Sequence, residues 1–297
     1  MTVGPATPLL LVGPVTVDRI QGKRMPGGAV SYGAQVATAF GLRARILTIA
    51  GPNADLSPLE EHDVEVVGDP YTVTFEFSDS GAGRAMRVPE QPSRSLSAHD
   101  LPPEWETPGT VMISTLIRGD LDIDSFQPVA SSAAAVGFIS QGAQRELADD
   151  YEVRLVPPLD TSLVRSCSHS YSLFRSAREA ALWPESLHAS TRAAGARLVT
   201  TRGADGALIE SDHGKTDVPV FPSASVVDAT GAGDVFATAL ILALDEGEQA
   251  AAQIAAAFAA ASVERIGPAP LPTLSEIKRR IEAVQRAADE PRRGACA

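Results

Sequence analysis

The run Val226-Val-Asp-Ala-Thr-Gly-Ala-Gly-Asp-Val-Phe236 holds the residues best able to do chemistry in this chain. Two carboxylates, Asp228 and Asp234, bracket a stretch of small residues, and Val235 to Leu244 then offers apolar helix formers. The pattern predicts a loop that becomes the N-terminus of a buried helix. Glycine lets backbone approach a ligand closely, and the first amides of a helix point outward with partial positive charge. Such a place suits an anion such as phosphate. Asp234 would repel that phosphate, so its presence needs a purpose. The purpose that fits is to take a proton from a hydroxyl attacking phosphorus.

The run resembles the D-T-x-G-A-G-D signature of the ribokinase-like, PfkB-type carbohydrate kinases, with Ala229 where that family usually has Thr. The resemblance implies that Asp234 is the catalytic base. It also implies that the amides of Gly231, Ala232 and Gly233 receive the transferring phosphoryl, with Asp228 and Thr230 on the donor side.

Other segments extend the likeness. Leu9 to Val17 reads as a buried strand, with Gly13 and Pro14 breaking it near the end, and Asp18 follows it in Gly-Pro-Val-Thr-Val-Asp, where open α/β sheets place ligands; a surface turn Asp is the competing reading of Asp18. In the resembled family an Asp here accepts substrate hydroxyls. Gly27-Gly28-Ala-Val-Ser-Tyr32 matches G-G-x-x-x-N except at its end, where Tyr32 replaces the substrate-binding Asn; a core aromatic is the competing reading of Tyr32. The loop Ser140-Gln-Gly-Ala-Gln-Arg145 is close to the Q-G-x-x-R of the inositol-kinase-like branch, which would set Arg145 against phosphate or substrate, although a solvated Arg is as good a reading. Ser176 and Glu179 have capping-box spacing, a sufficient account by itself. The family carries N-x-x-E at this place, with Ser176 here replacing the Asn, so the likeness implies a magnesium role for Glu179 and donor contact for Ser176. Thr201-Arg-Gly203-Ala-Asp-Gly206 resembles the T-x-G-x-x-G segment beside the nucleotide, with Arg202 as the cation for phosphates. The implied ligands are ATP, Mg²⁺ and, as an open addition, a monovalent cation.

The elements that would position these residues alternate between strand and helix. Arg45 to Ala50, Val111 to Ile117, Ala133 to Ile139 and Ala196 to Thr200 read as central strands, and Pro26-Gly27-Gly28 opens a helix through Phe40. The expected fold is a three-layer α/β/α sandwich with a mainly parallel sheet, one domain over 1–297. Tyr71 to Phe77 and Arg84 to Val88 alternate around Ser78-Asp-Ser-Gly-Ala-Gly83, which predicts a hairpin inserted at about 68–92. Its apolar face (Val73, Phe75, Phe77, Met86, Val88) must be covered. Two covers come to mind, a substrate beneath a small β lid and the same hairpin of a second subunit in a homodimer.

Composition narrows the functional classes. Twenty-five basic and thirty-seven acidic residues give a net charge of −12, with only three Lys. A nucleic-acid partner is not expected from such a balance. Two Cys are too few for a disulfide framework and suit a reducing cytosol. No basic region precedes Leu9–Val12, and Gln249 to Ser262 is too short for a bilayer, so neither a signal peptide nor a membrane partner is expected. The G-x-x-x-x-G-K-[ST] pattern is absent, and no G-x-G-x-x-G follows a strand. The reading is therefore a cytoplasmic kinase acting on an alcohol of a small sugar or cyclitol. The alternatives are a nucleoside or vitamin-precursor kinase of the same superfamily, or a ligand-binding protein on that fold without turnover.

Overall fold

The structure, a computed structural model, describes residues 8–20, 22–80 and 83–289. The hairpin's expected turn at 81–82 and the terminal residues 290–297 lie outside them. Fifteen strands follow one another among the described residues. They are β1 (Leu9–Val12), β2 (Thr16–Ile20), β3 (Lys23–Gly27), β4 (Arg45–Ala50), β5 (Asp63–Gly68), β6 (Val73–Ser80), β7 (Gly83–Glu90) and β8 (Thr110–Ser114). The second half holds β9 (Ala135–Ile139), β10 (Arg145–Leu147), β11 (Val153–Leu155), β12 (Tyr171–Ser176), β13 (Arg197–Thr201), β14 (Ala207–Ser211) and β15 (Gly214–Val218).

Nine of them form the central sheet, in the order β15-β14-β13-β12-β9-β8-β1-β4-β5. All neighbours from β13 to β5 are parallel, and β14 and β15 close one edge antiparallel. Strands buried on both faces read as unbroken apolar runs, as Leu9-Leu-Leu-Val12 does. Alternate residues of that run serve two cores: Leu9 and Leu11 pack on one face of the sheet, Leu10 and Val12 on the other. On the first face lies the Ala232–Ala243 helix, packed against the Ala29–Ala39 and Glu248–Val263 helices. Its sequence is apolar on nearly every side, as a helix enclosed by neighbours must be. The Ala-rich Glu248–Val263 helix offers it small side chains and so a close approach. None of the helices among the described residues is long and apolar enough to cross a membrane.

The order of strands reverses at β1: the chain first builds outward through β4 and β5, then returns to place β8 on the other side. Open α/β sheets bind ligands outside the carboxyl ends of their strands at such a reversal. The loops after β8, β9, β12 and β13, which carry Arg145, Glu179 and the Thr201–Gly206 segment, all leave from that end.

Two expected strands end earlier than the apolar pattern suggests. The Leu9–Val17 run is broken at Gly13 and Pro14 into β1 and β2, which belong to different sheets. Asp18 therefore stands inside a second sheet and not at the end of the first strand. The Val111–Ile117 run stops at Ser114, because Asp120 captures the amides of Leu116 (2.7 Å) and Ile117 (3.1 Å) and turns the chain.

The second sheet, β3-β2-β6-β7, contains the hairpin as its β6–β7 half. A register shift between Thr74 and Glu76 accommodates Pro89, which has no N–H to give to a ladder. The face bearing Val73, Phe75 and Val88 packs against other parts of the chain. Leu116 and Ile117 cover it, with Leu147 and Val153 of the β10–β11 pair at its border. The opposite face is polar, with Arg19 bonded to Glu76 (2.8 Å) and Thr74 to Glu90 (3.0 Å). Val73, Phe75 and Val88 are thus buried by the chain itself, while Phe77 and Met86 of the same apolar face stay half-buried. Phe75 is 4 % exposed. Phe75→Asp would leave an unpaired charge in this cluster, and a loss of about 3–5 kcal/mol is expected in denaturant unfolding. A variant of wild-type stability would show that the cluster is not packed as described.

Candidate active site

The Ala232–Ala243 helix begins at Gly231, whose φ of 76° is left-handed, so only a residue without a Cβ takes it freely. Gly231 is constrained from below as well. A Cβ there would lie 2.3 Å from the ring of Tyr32, so ring and loop are in direct contact. Tyr32 is 4 % exposed. The sequence suggested Tyr32 as a substrate contact; the structure buries its ring under the glycine loop, where it serves as the loop's floor. At Gly233, by contrast, a Cβ would meet nothing within 4 Å, and this open backbone borders a cavity.

Asp228 secures the other end of the loop. Its two carboxylate oxygens accept the N–H groups of Thr230 (2.9 Å) and Gly267 (3.2 Å), and the amide of Val227 donates to Val263 O (2.7 Å). The expected donor contact of Asp228 thus gives way to an anchoring contact with the end of the Glu248–Val263 helix. The Thr230 hydroxyl is buried and has no hydrogen-bond partner among the described residues. An orphaned polar atom beside a helix N-terminus marks a place for a ligand.

Asp234 sits on the first turn of the helix, largely enclosed by protein while keeping some surface at the cleft. Burial pushes its pKa up to about 7; the guanidinium of Arg145 opposes this, and the carboxylates of Glu179 and Asp18 add to it. These four residues come from four different segments and act on one another's charge. The structure therefore brings Asp18, Arg145, Glu179 and Asp234 within range of one another's charge.

Each of these is held differently. Asp18 is 5 % exposed and accepts the Thr16 hydroxyl at 2.7 Å. A Cβ on Gly27 would stand 2.6 Å from its Oδ2, so the glycine at 27 is what lets Asp18 lie against β3. Gly28 caps the Ala29–Ala39 helix at a φ of 89°. Glu179 is buried: its Oε2 accepts the Ser176 N–H at 2.7 Å, while Ser176 Oγ accepts the Glu179 N–H at 3.3 Å. The capping-box reading of this pair is therefore satisfied, and the hydroxyl of Ser176 is engaged in it.

Arg145 opens β10. Burial lowers its pKa, and the charges of Glu179, Asp234, Asp120 and Asp18 counter that. Its guanidinium donates to Leu116 O at 3.5 Å and forms no direct ion pair among the described residues. A cation within reach of four carboxylates, yet clasped by none, has N–H groups available for an anion.

On the far side of the Gly231 loop lies a cavity of about 510 Å³. Thr201, Gly203 and Gly206 line it at one end, and Val220, Phe221, Val226 and Phe236 give it an apolar wall. Val226 and Val220 are 71 % and 58 % exposed. Arg202 is not among the lining residues: it bonds to Asp217 and to Ala207 O, both on the antiparallel edge strands, and so is drawn away from the role expected of it.

Two residues that sequence reading passed over are central to the arrangement. Gln144, fully buried, donates to Glu179 O (3.0 Å) and accepts from Trp183 Nε1 (2.8 Å), tying the Arg145 segment to the Glu179 turn. Asp120 is the other. A single carboxylate after an apolar run carries no motif; the buried amides it accepts become visible only in three dimensions.

Residues 130–274 match the sequence profile described as the pfkB family carbohydrate kinase. That segment carries Arg145, Glu179, Thr201–Gly206 and Asp228–Asp234; Asp18, Gly27 and the second sheet lie outside it. Solved structures extend the likeness over the chain. A pyrophosphate-dependent myo-inositol kinase altered by two substitutions superposes with a TM-score of 0.71 at 20 % identity, covering 93 % of this chain and 99 % of its own. Ribokinase of Arabidopsis thaliana, solved with ribose and ATP, gives 0.70 at 18 %, covering 94 % and 99 %. A nucleoside kinase of Methanocaldococcus jannaschii gives 0.64 at 18 %, covering 95 % and 100 %. No curated protein matches the chain. At such identities the structural likeness is one of fold: the chain has the ribokinase-like fold, and its residues 130–274 match the profile of the pfkB family carbohydrate kinases.

Proposed function

We propose that this chain is an ATP-dependent kinase that transfers the γ-phosphoryl group to a hydroxyl of a small polyhydroxylated acceptor, a sugar or cyclitol. The observation that carries the donor is the apolar cavity beside Gly233. Pyrophosphate, the donor of the inositol kinase above, has nothing with which to cover Val226, Val220 and Phe221; a nucleoside base does, and its burial gains free energy roughly in proportion to the apolar area removed from water. The nucleoside end of the donor fills the cavity, and its phosphates run toward the Gly231–Asp234 amides and the Thr230 hydroxyl.

The acceptor lies against Asp18, Gly27, Gly28 and Arg145. Asp234 takes the proton from the attacking hydroxyl, and a carboxylate with a pKa of about 7 is well matched to that task at neutral pH. Arg145 and the helix amides meet the charge on the phosphoryl in flight. Among acceptors a cyclitol is favoured over ribose. The Gln141-Gly142-x-x-Arg145 run supports that choice.

Magnesium is compatible with the residues present. No group of three or more ligating side chains occurs among the described residues, so the ion would be held on the donor's phosphates, its usual manner of binding. Glu179 fits as its outer partner, since one carboxylate oxygen holds the Ser176 amide and the other makes no hydrogen bond among the described residues. Bound there, the ion would supply positive charge to offset the negative charge of the donor's phosphates.

The test is a phosphorylation assay with a panel of sugars, cyclitols and nucleosides against ATP and pyrophosphate in turn. ATP with a cyclitol or sugar is expected to give product, and pyrophosphate a kcat/KM at least ~100-fold lower. EDTA should abolish turnover. Turnover with pyrophosphate equal to that with ATP would overturn the donor, and ribose phosphorylation without any cyclitol activity would overturn the acceptor class.

A further inference from the structure

Asp120 is 4 % exposed and belongs to the loop after β8, within the Asp120–Leu116 turn that covers the second sheet. Its Oδ2 accepts two amides, Leu116 N at 2.7 Å and Ile117 N at 3.1 Å, and its Oδ1 accepts the Thr115 hydroxyl at 2.5 Å. An amide side chain of the same shape could meet all of these. Its oxygen would take both backbone N–H groups, and its NH₂ would donate to Thr115, whose hydroxyl already reaches Ile117 O at 3.2 Å. The hydrogen bonds could thus be kept without a charge, although all three favour the charged form; burial opposes it and raises the Asp120 pKa to about 6. The cation whose field acts on Asp120 is Arg145.

The same turn holds Arg145 at two further points. Arg118 N donates to Arg145 O at 2.9 Å, and the Arg145 guanidinium donates to Leu116 O, the carbonyl of a residue whose own amide Asp120 fixes. Arg118 also bonds the chain just before β10 and just after β11, at the open end of that pair, through Ala143 O (3.1 Å) and Pro157 O (2.6 Å). The backbone of Arg145 is thus set by hydrogen bonds, and its guanidinium, bonded to Leu116 O, feels the charges of Glu179, Asp234, Asp120 and Asp18, in that order of strength.

We infer that Asp120 is a positioning residue: its negative charge holds the Arg145 guanidinium off Asp234 and Glu179, leaving Asp234 basic and the guanidinium open to the phosphoryl group. Without that charge, Arg145 is left to Glu179, Asp234 and Asp18. It then closes onto one of them as a direct ion pair, which occupies the guanidinium and weakens the base. The inference rests on the phosphoryl-transfer reading above, and its test includes an arm that needs no turnover.

Asp120→Asn removes the charge and keeps the hydrogen bonds, whereas Thr115→Val keeps the charge and removes one of them. For Asp120→Asn, kcat is expected to fall about 10- to 100-fold, with the KM of ATP changed less than about 3-fold. Thr115→Val should lower the melting temperature yet leave kcat within about 3-fold of wild type. On an Arg145→Gln background Asp120→Asn should cost nothing further, because the residue acts through Arg145. Independently, the Nε–Hε signal of Arg145 in ¹⁵N-arginine NMR, assigned by its loss in Arg145→Gln, should shift in Asp120→Asn and not in Thr115→Val. An unchanged Arg145 signal, an additive loss in the double variant, or a larger kcat loss in Thr115→Val than in Asp120→Asn would each overturn the inference. Failure of Asp120→Asn to fold would do so as well, since it would place the charge in the service of the turn. If the chain phosphorylates none of the acceptors, the kinase reading fails, and the NMR arm still decides whether Asp120 sets Arg145.

Discussion

Asp234→Asn should lower kcat by about 10²- to 10⁴-fold while leaving the affinity for ATP close to that of wild type. The side chain keeps its shape, so the loss falls on proton removal and not on binding. In the wild type, kcat/KM should rise with pH up to the Asp234 pKa of about 7 and level off above it, because only the deprotonated carboxylate accepts the proton. The same displacement has a consequence for stability with a definite sign. A carboxyl whose pKa is raised on folding binds its proton more tightly in the native state than in the unfolded one, so native stability is lost as pH rises from about 4 through 7. Asp234→Asn removes the group that ionises. Its melting temperature should exceed that of wild type at pH 8, and the difference should shrink as pH falls through 7 and vanish below about 4. A stable variant with nearly unchanged kcat would remove Asp234 from the proton path. An inactive variant no more stable at pH 8 would place the desolvation of that carboxylate elsewhere.

Much of this site was legible because the chemistry is compressed into short runs. The small residues from Thr230 to Gly233 followed by Asp234 declare an anion site with a base at its edge, and the Ser176–Glu179 spacing declares a cap. Alternation in Val73–Phe77 and the unbroken Leu9–Val12 run announced strands. What could not be read is what one segment does to another. Leu116 and Ile117 look like the continuation of a strand, and only the buried carboxylate of Asp120, a few residues on, turns them out to cover the second sheet. Arg202 looked like the cation for phosphates until Asp217, on an antiparallel edge strand no spacing predicts, was placed beside it. Tyr32 looked like a substitute for a hydroxyl-binding Asn. Its position along the helix was right, but its ring lies against Gly231, almost two hundred residues later in sequence.

That last contact carries the second large effect. Gly231→Ala would place a Cβ 2.3 Å from the Tyr32 ring and force a side chain onto a left-handed backbone. Left-handed geometry alone costs about 1–2 kcal/mol, and the ring cannot give way easily because it is itself buried. The loop must therefore lift, carrying with it the amides that begin the helix and the carboxylate three residues on. A displacement on the order of 1 Å at a reacting centre lowers the rate about 10²-fold, and that is the expected fall in kcat, together with a lower melting temperature. Two companions locate the cause. Gly233→Ala puts its methyl into open space at the cavity, so it should leave stability unchanged and raise the KM of ATP. Adding Tyr32→Asn to Gly231→Ala removes the ring from under the new methyl. It should restore part of kcat while leaving the backbone strain, which no side-chain change at 32 relieves. If Gly231→Ala alone kept full activity, the ring and the loop could not be in the contact described. If Tyr32→Asn restored none of the loss, the left-handed turn by itself, without the ring beneath it, would be what sets the height of the loop.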